Sequence, residues 1–235
     1  MGVQIDARFN GPPGSGNGGW SAGLFATAAG ARVGGAPVQV TLRLPPPLRT
    51  PLRLDAGQVF AGSELVAEVT ALDADGPPGA VVPPVDLPTA QAAARSYAGL
   101  AAHPFPTCFV CGPDRARGDG LRIFPGRLPD GRTAAPWTVP ADTGAETVWA
   151  ALDCPGGWTV LGADRVYVLG RIAASVTALP RPGTTCVVVA AAGATTGRKA
   201  AVDSTLYAAD GAVLATAHAT WIVPAGSSST AVPAG

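Results

Sequence analysis

Residues 38–54 read VQVTLRLPPPLRTPLRL, and this stretch decides the fold prediction. Apolar and polar side chains alternate from Val38 to Leu44, prolines at 45–47 interrupt the run, and an extended segment resumes from Pro51 to Leu54. Period-two alternation is typical of a strand with one buried face, and proline interrupts a strand because it has no amide hydrogen to donate. The stretch therefore predicts two strands separated by a break, and ELVAEVTAL at 64–72 predicts a further strand.

The second half of the chain repeats this order. A strand pattern, VLGRIAASVTAL, is interrupted by Pro180-Arg181-Pro182 and resumes as TTCVVVA, and a later Asp-Gly pair at 210–211 predicts a hairpin turn because it tolerates positive φ. The predicted strands of this half are 168–179, 184–190, 199–208 and 213–223. One helix candidate precedes each strand set, at 20–32 and at 143–153. The sequence thus predicts an α+β fold of two tandem modules, each a central helix wrapped by a long antiparallel sheet.

Composition and segment boundaries narrow the class of protein. The 235 residues are 47% hydrophobic and carry 16 basic against 16 acidic side chains, so no net field attracts nucleic acid. No apolar run is long enough to span a membrane, and the first residues lack the order of a secretory signal, so we expect a cytoplasmic protein without membrane contact. We expect modules at 1–75 and 105–224, a Pro-rich linker at 76–104 with a short helix at 91–101, and a flexible tail at 225–235.

Several motifs in this order resemble the double-hotdog acyl-CoA thioesterases. Asn17-Gly18-Gly19-Trp20 is similar to the Gly-Gly helix start of that superfamily, and WAALDCPGG at 149–157 is similar to the helix that carries the aspartate of type II acyl-CoA thioesterases. CFVCGPDRARGDGLRIFPG at 108–126 resembles the segment that opens many single-hotdog thioesterase-like domains. Asn17 and Pro155 stand where the phenylacetate-type enzymes have the His of His-Gly-Gly, and the strand Gln and Thr of the type II site have no clear counterpart.

The resemblance implies hydrolysis of acyl-CoA or a related thioester, with Asp153 as the carboxylate that activates water or attacks directly. Free N–H groups at a helix start stabilise developing negative charge, so Gly18 and Gly19 are candidate oxyanion donors, flanked by Asn17 and Trp20 as further substrate-binding residues. Asp164 is a rival carboxylate, because its spacing from Gly156-Gly157 is similar to that in the phenylacetate-type enzymes.

The first helix carries no acidic residue, so one site per chain is expected, in a homodimer or in a pseudo-dimer within one chain. A non-catalytic module that binds acyl-CoA or another apolar ligand is the alternative from a different class, and a hydratase is the alternative within the same fold.

Two smaller features remain. Cys108 and Cys111 have zinc-knuckle spacing and His103 is a candidate third ligand, but Cys154 and Cys186 lie in other apolar runs, so a packed turn is favoured over zinc or redox use. We therefore expect no metal and no cofactor. Arg115 and Arg117, on the loop that follows, are candidate contacts for the phosphates of CoA, with a solvated loop as the alternative.

Overall fold

The computed structural model describes residues 2–73, 78–162 and 165–224. The helices are α1 (Gly18–Ala28), α2 (Leu87–Arg95) and α3 (Ala145–Val160). The strands of the first half are β1 (Gly2–Val3), β2 (Val38–Leu42), β3 (Leu52–Asp55), β4 (Gln58–Ala61) and β5 (Glu64–Ala71). The strands of the second half are β6 (Gly126–Arg127), β7 (Thr133–Thr138), β8 (Val168–Val176), β9 (Thr185–Thr196), β10 (Lys199–Tyr207) and β11 (Val213–Ile222).

The strands form one antiparallel sheet in the order β1-β3-β4-β5-β2-β8-β11-β10-β9-β7-β6. The order β3-β4-β5-β2 of the first half is mirrored by β9-β10-β11-β8 of the second, so the two halves are related by a pseudo-twofold arrangement. They meet where β2 pairs with β8, with Val38 opposite Ala174 and Thr41 opposite Arg171. The predicted α+β fold of two tandem helix-and-sheet modules is confirmed.

Helices α1 and α3 pack against each other over the same sheet, α1 on β2 and β8 and α3 mainly on β8 to β11. Glycine makes their close approach possible. A Cβ added to Gly19 would lie 2.7 Å from the carbonyl oxygen of Trp149, and one added to Gly23 would lie 2.7 Å from Cα of Glu146. The small residues of the first predicted helix therefore serve helix packing, and they bring the start of α1 next to the middle of α3.

The predicted linker contributes a helix to the other face of the sheet. Asp86 caps α2 by accepting a hydrogen bond from the Thr89 amide at 2.9 Å, so the helix begins and ends earlier than the predicted 91–101. Alternate residues of β9 point to opposite faces of the sheet, and Val187 and Val189 pack in a separate apolar cluster with residues of α2. Because the first half of β9 is buried on both faces, its apolar run TCVVVA shows no alternation.

Helix α3 continues past Asp153, where the sequence analysis ended it. It runs to Val160 with Pro155 in its interior, and the hydroxyl of Thr133 donates to the Pro155 carbonyl at 2.7 Å. A Cβ added to Gly157 would lie 2.4 Å from the ring of Trp221 on β11. The glycines at 156–157 therefore allow the helix to approach the sheet closely rather than forming a turn, and Asp153 lies within the buried part of the helix. No helix in the described ranges is long and apolar enough to cross a membrane.

Candidate active site

Asp153 is a buried carboxylate at the amino end of α1. Its side chain is 2% exposed, and its Oδ2 accepts a hydrogen bond from the Gly19 amide at 2.8 Å and from Asn17 Nδ2 at 3.2 Å. Its Oδ1 is also buried and has no hydrogen-bond partner in the part of the chain that the structure describes. A buried carboxylate oxygen without a partner is costly, so this atom requires a hydrogen-bond donor that the described side chains do not provide.

Asn17 organises the helix end that receives the carboxylate. It is the N-cap of α1, and its Oδ1 accepts from the Trp20 amide at 2.9 Å while its carbonyl oxygen accepts from the Ser21 amide at 2.9 Å. The Gly19 amide is taken by Asp153, which leaves the Gly18 amide without a hydrogen-bond partner among the described residues. The donor pair expected at Gly18 and Gly19 is thus divided, since one amide holds the carboxylate and the other is free.

The environment makes Asp153 unusually basic. Burial raises the pKa of its carboxyl to about 7, against the lowering effect of the hydrogen bonds from Gly19 and Asn17, and the nearby Cys108 thiol raises it further. A general base is most effective when its pKa lies near the working pH. The carboxyl group of Asp153 can therefore take up and return a proton near neutral pH.

A cavity of about 330 Å³ reaches this carboxylate. Asn17, Gly18 and Asp153 lie in its wall, which is otherwise mainly apolar. The apolar wall is formed chiefly by Leu42, Pro45, Pro46, Phe105, Trp158, Leu161, Leu169 and Trp221. A concave apolar site with a few convergent polar groups is the usual form of a small-molecule binding site.

The structure also brings Cys154 to the predicted Cys108/Cys111 turn, although the sequence analysis placed it in an unrelated apolar run. Cys154 follows Asp153 on α3, and its Sγ lies 3.8 Å from Sγ of Cys108. The thiols of Cys111 and Cys154 lower the pKa of Cys108 well below its usual range. Burial raises the pKa of Cys111, and the contact with Cys108 raises that of Cys154. The spacing of Cys108 and Cys111 was visible in the sequence, but nothing in the sequence related Cys154 to them.

The other candidate residues lie elsewhere. Trp20 stacks on Phe9 with ring centroids 3.7 Å apart, and together with the exposed Arg117 it lines a second groove, away from the Asp153 cavity. The Arg115 side chain is 10% exposed and binds Asp119 at 3.0 Å, so it is engaged within the protein. Asp164 lies outside the described residues. The structure thus gathers Asn17, Gly18 and Gly19 around Asp153 and separates Trp20, Arg115 and Arg117 from it.

Comparison with known proteins identifies the architecture. No family model matches the sequence and no curated protein matches it. Among solved structures, a hot dog fold protein of unknown function from Alicyclobacillus acidocaldarius is 17% identical with a TM-score of 0.62, over 95% of this chain and 92% of that one. The TesB protein of Mycobacterium avium subspecies paratuberculosis is 14% identical with a TM-score of 0.60, over 95% and 92%. A pyran synthase domain from the sorangicin pathway is 19% identical with a TM-score of 0.56, over 86% and 82%. These likenesses show the hotdog fold, as the resemblance implied.

Proposed function

Since the chain has the hotdog fold in tandem form, we propose that it hydrolyses acyl-CoA or related acyl thioesters, with Asp153 as the general base. One observation carries this proposal. The buried Oδ1 of Asp153 has no hydrogen-bond partner among the described residues, and Asp153 lies in the wall of a largely apolar cavity. A pyran synthase domain is also among the similar structures, so the fold alone does not determine the reaction and the site must do so.

In the proposed reaction the two oxygens of the Asp153 carboxylate have different roles. Gly19 and Asn17 hold Oδ2, so Oδ1 can accept a proton from a water molecule as its oxygen adds to the thioester carbonyl carbon. The negative charge that develops on the carbonyl oxygen is stabilised by the Gly18 amide and by the positive end of the α1 dipole. When the tetrahedral intermediate collapses, the C–S bond breaks, the acid is released, and the proton on Asp153 passes to the leaving thiolate.

The substrate class is supported by the shape of the site and by the TesB protein among the similar structures. The apolar wall suits an acyl chain, because burial of each methylene group contributes about 0.8 kcal/mol. Arg117 stays a predicted contact for the phosphates of CoA. Its exposed guanidinium has the charge and hydrogen-bonding geometry that phosphate requires.

The substitution Asp153→Asn tests the base. It keeps the shape of the side chain and an oxygen that can accept from Gly19, so the fold should persist while the proton acceptor is lost. We expect the hydrolysis rate to fall by about 10²-fold or more, the usual contribution of a general base. Asp210→Asn is the matched control, because Asp210 lies in the exposed turn before β11 and accepts from the Ala212 amide at 3.0 Å, which asparagine also allows.

The assay incubates each protein with a panel of acyl-CoAs of increasing chain length and measures free CoA by chromatography. If the parent protein binds an acyl-CoA but releases no CoA even at stoichiometric concentration, the chain is a binding module and the proposal is wrong. If Asp153→Asn hydrolyses as fast as Asp210→Asn, Asp153 is not the base.

A further inference from the structure

Three buried sulfur atoms converge on the wall of the Asp153 cavity. The Sγ atoms of Cys108, Cys111 and Cys154 all lie within 4.8 Å of one another, and each of these residues is at most 6% exposed. Two come from a turn after the linker and the third from α3, on the residue after Asp153. The convergence is therefore a product of tertiary structure and does not follow from the Cys-x-x-Cys spacing alone.

The geometry is close to that of a thiolate metal site. In a tetrahedral zinc site with Zn–S bonds of about 2.3 Å, two sulfur ligands are about 3.8 Å apart. Cys108 Sγ and Cys154 Sγ are separated by 3.8 Å. The largest separation in the cluster, below 4.8 Å, closes to the tetrahedral value if one sulfur moves by about 1 Å. Cys111 can provide this movement because it lies in a turn and not in a helix or strand.

The surroundings of the sulfur atoms suit thiolates. Asn17 Nδ2 lies 3.8 Å from Cys108 Sγ and 3.7 Å from Cys154 Sγ, so the N–H that it does not donate to Asp153 can be shared between the two sulfurs. His103 Nε2 lies 3.3 Å from Cys111 Sγ. Its Nδ1 accepts a hydrogen bond from the Phe105 amide at 2.8 Å, which places the proton of the neutral ring on Nε2. His103 is thus a donor to Cys111 and acts as an outer-sphere partner, not as a metal ligand.

We propose that Cys108, Cys111 and Cys154 bind one zinc ion, with His103 and Asn17 as hydrogen-bond donors to the ligand sulfurs. Thiolate ligands favour zinc over the hard cations magnesium and calcium. The three cysteines line the cavity, which gives the ion a route of access and leaves a fourth coordination position to water.

The ion would join parts of the chain that are far apart in sequence. Cys108 and Cys111 belong to the turn that follows the linker, Cys154 to α3, and Asn17 to the start of α1. Because Asn17 also donates to Asp153 Oδ2, the ion would fix the wall from which the carboxylate faces the cavity. This site does not depend on the proposed hydrolysis, since zinc binding can be measured without any substrate.

The test measures metal in the full-length protein, purified and reduced. Elemental analysis is expected to find about one zinc ion per chain. After the zinc is removed with a chelator, titration with Co²⁺ should produce the intense visible bands of a tetrahedral site and a near-ultraviolet sulfur-to-cobalt charge-transfer band. Cys154→Ala should lose the bound zinc and these bands. Cys186→Ala is the matched control, because Cys186 is 1% exposed on β9 and does not belong to the cluster.

Two further measurements keep the result interpretable. Circular dichroism shows whether Cys154→Ala is folded, and Cys111→Ala serves as a second ligand variant if it is not. Absence of a charge-transfer band in the reduced parent protein would overturn the proposal. Equal zinc in the Cys154→Ala and Cys186→Ala proteins would also overturn it. So would a disulfide between Cys108 and Cys154, found by mass spectrometry, in a protein that takes up no metal after reduction.

Discussion

The contact between α1 and α3 at Gly19 gives the sharpest prediction for stability. With Gly19→Ala, the added Cβ would lie 2.4 Å from Asp153 Cβ and 2.7 Å from the Trp149 carbonyl oxygen, whereas ordinary contacts begin at 3.4 Å. The carbonyl belongs to the backbone of α3, so no side-chain rotation relieves the overlap. The helices must separate by about 1 Å, which also stretches the hydrogen bond from the Gly19 amide to Asp153.

The cost can be estimated from its parts. Overpacking costs about 1–3 kcal/mol, a weakened hydrogen bond to a carboxylate costs about 1.5–3 kcal/mol, and the higher helix propensity of alanine returns at most about 1 kcal/mol. We expect Gly19→Ala to lower the free energy of unfolding by about 2–5 kcal/mol, with an unchanged denaturant slope. Urea titration followed by tryptophan fluorescence measures this, and the same variant should lose thioester hydrolysis because Asp153 is displaced.

Gly162→Ala is the control for this experiment. Among the described residues, no atom lies within 4 Å of a Cβ added at Gly162, and its φ lies outside the left-handed region. We expect its unfolding free energy to stay within about 0.5 kcal/mol of the parent value. If Gly19→Ala falls in the same narrow range, the two helices do not pack closely at Gly19.

Three further predictions concern residues away from the cavity. Arg115→Met should lower the unfolding free energy by about 1–3 kcal/mol, because it removes charged hydrogen bonds from a nearly buried side chain. Arg117→Met should leave stability unchanged but raise KM for acyl-CoA and not for acyl-pantetheine; an equal KM rise for both substrates would exclude a phosphate contact. Trp20→Leu should destabilise the fold by about 1–3 kcal/mol, because the stacking on Phe9 is lost. Its kcat should stay within about twofold of the parent value, and a large fall in kcat would show that Trp20 contributes to the active site.

Local pattern was enough to predict most of the sheet. Strand β2 alternates apolar and polar residues because one of its faces is buried, and the Asp-Gly pair at 210–211 predicted the turn between β10 and β11. Four strands escaped prediction. Strands β1 and β6 have only two residues each, and β4 and β7 lack such a pattern. Strand β4 has four residues, and β7 reads TAAPWT with a proline inside it. Proline usually argues against a paired strand, and here it lies in a strand near the edge of the sheet.

The site was less accessible from sequence, because it depends on packing. The predicted helix stopped at Asp153, because nothing in the sequence indicates that the sheet lies close enough to require the glycines at 156–157. Once α3 was ended at Asp153, Cys154 had no evident relation to Cys108 and Cys111. The pairing of Asp153 with the start of α1 was suggested by a resemblance, but the free Oδ1 and the division of the two glycine amides depend on distances that only coordinates supply.

Both halves of the sheet belong to one chain and are joined where β2 pairs with β8, and this affects how substitutions can accumulate in each half. In an assembly of two identical subunits, every substitution occurs twice, once on each side of the symmetry axis. In this chain each side can vary alone. The carboxylate is carried by α3, and the corresponding helix α1 has no acidic residue. One half can therefore specialise as the platform that receives the buried carboxylate, without losing that carboxylate in the other half.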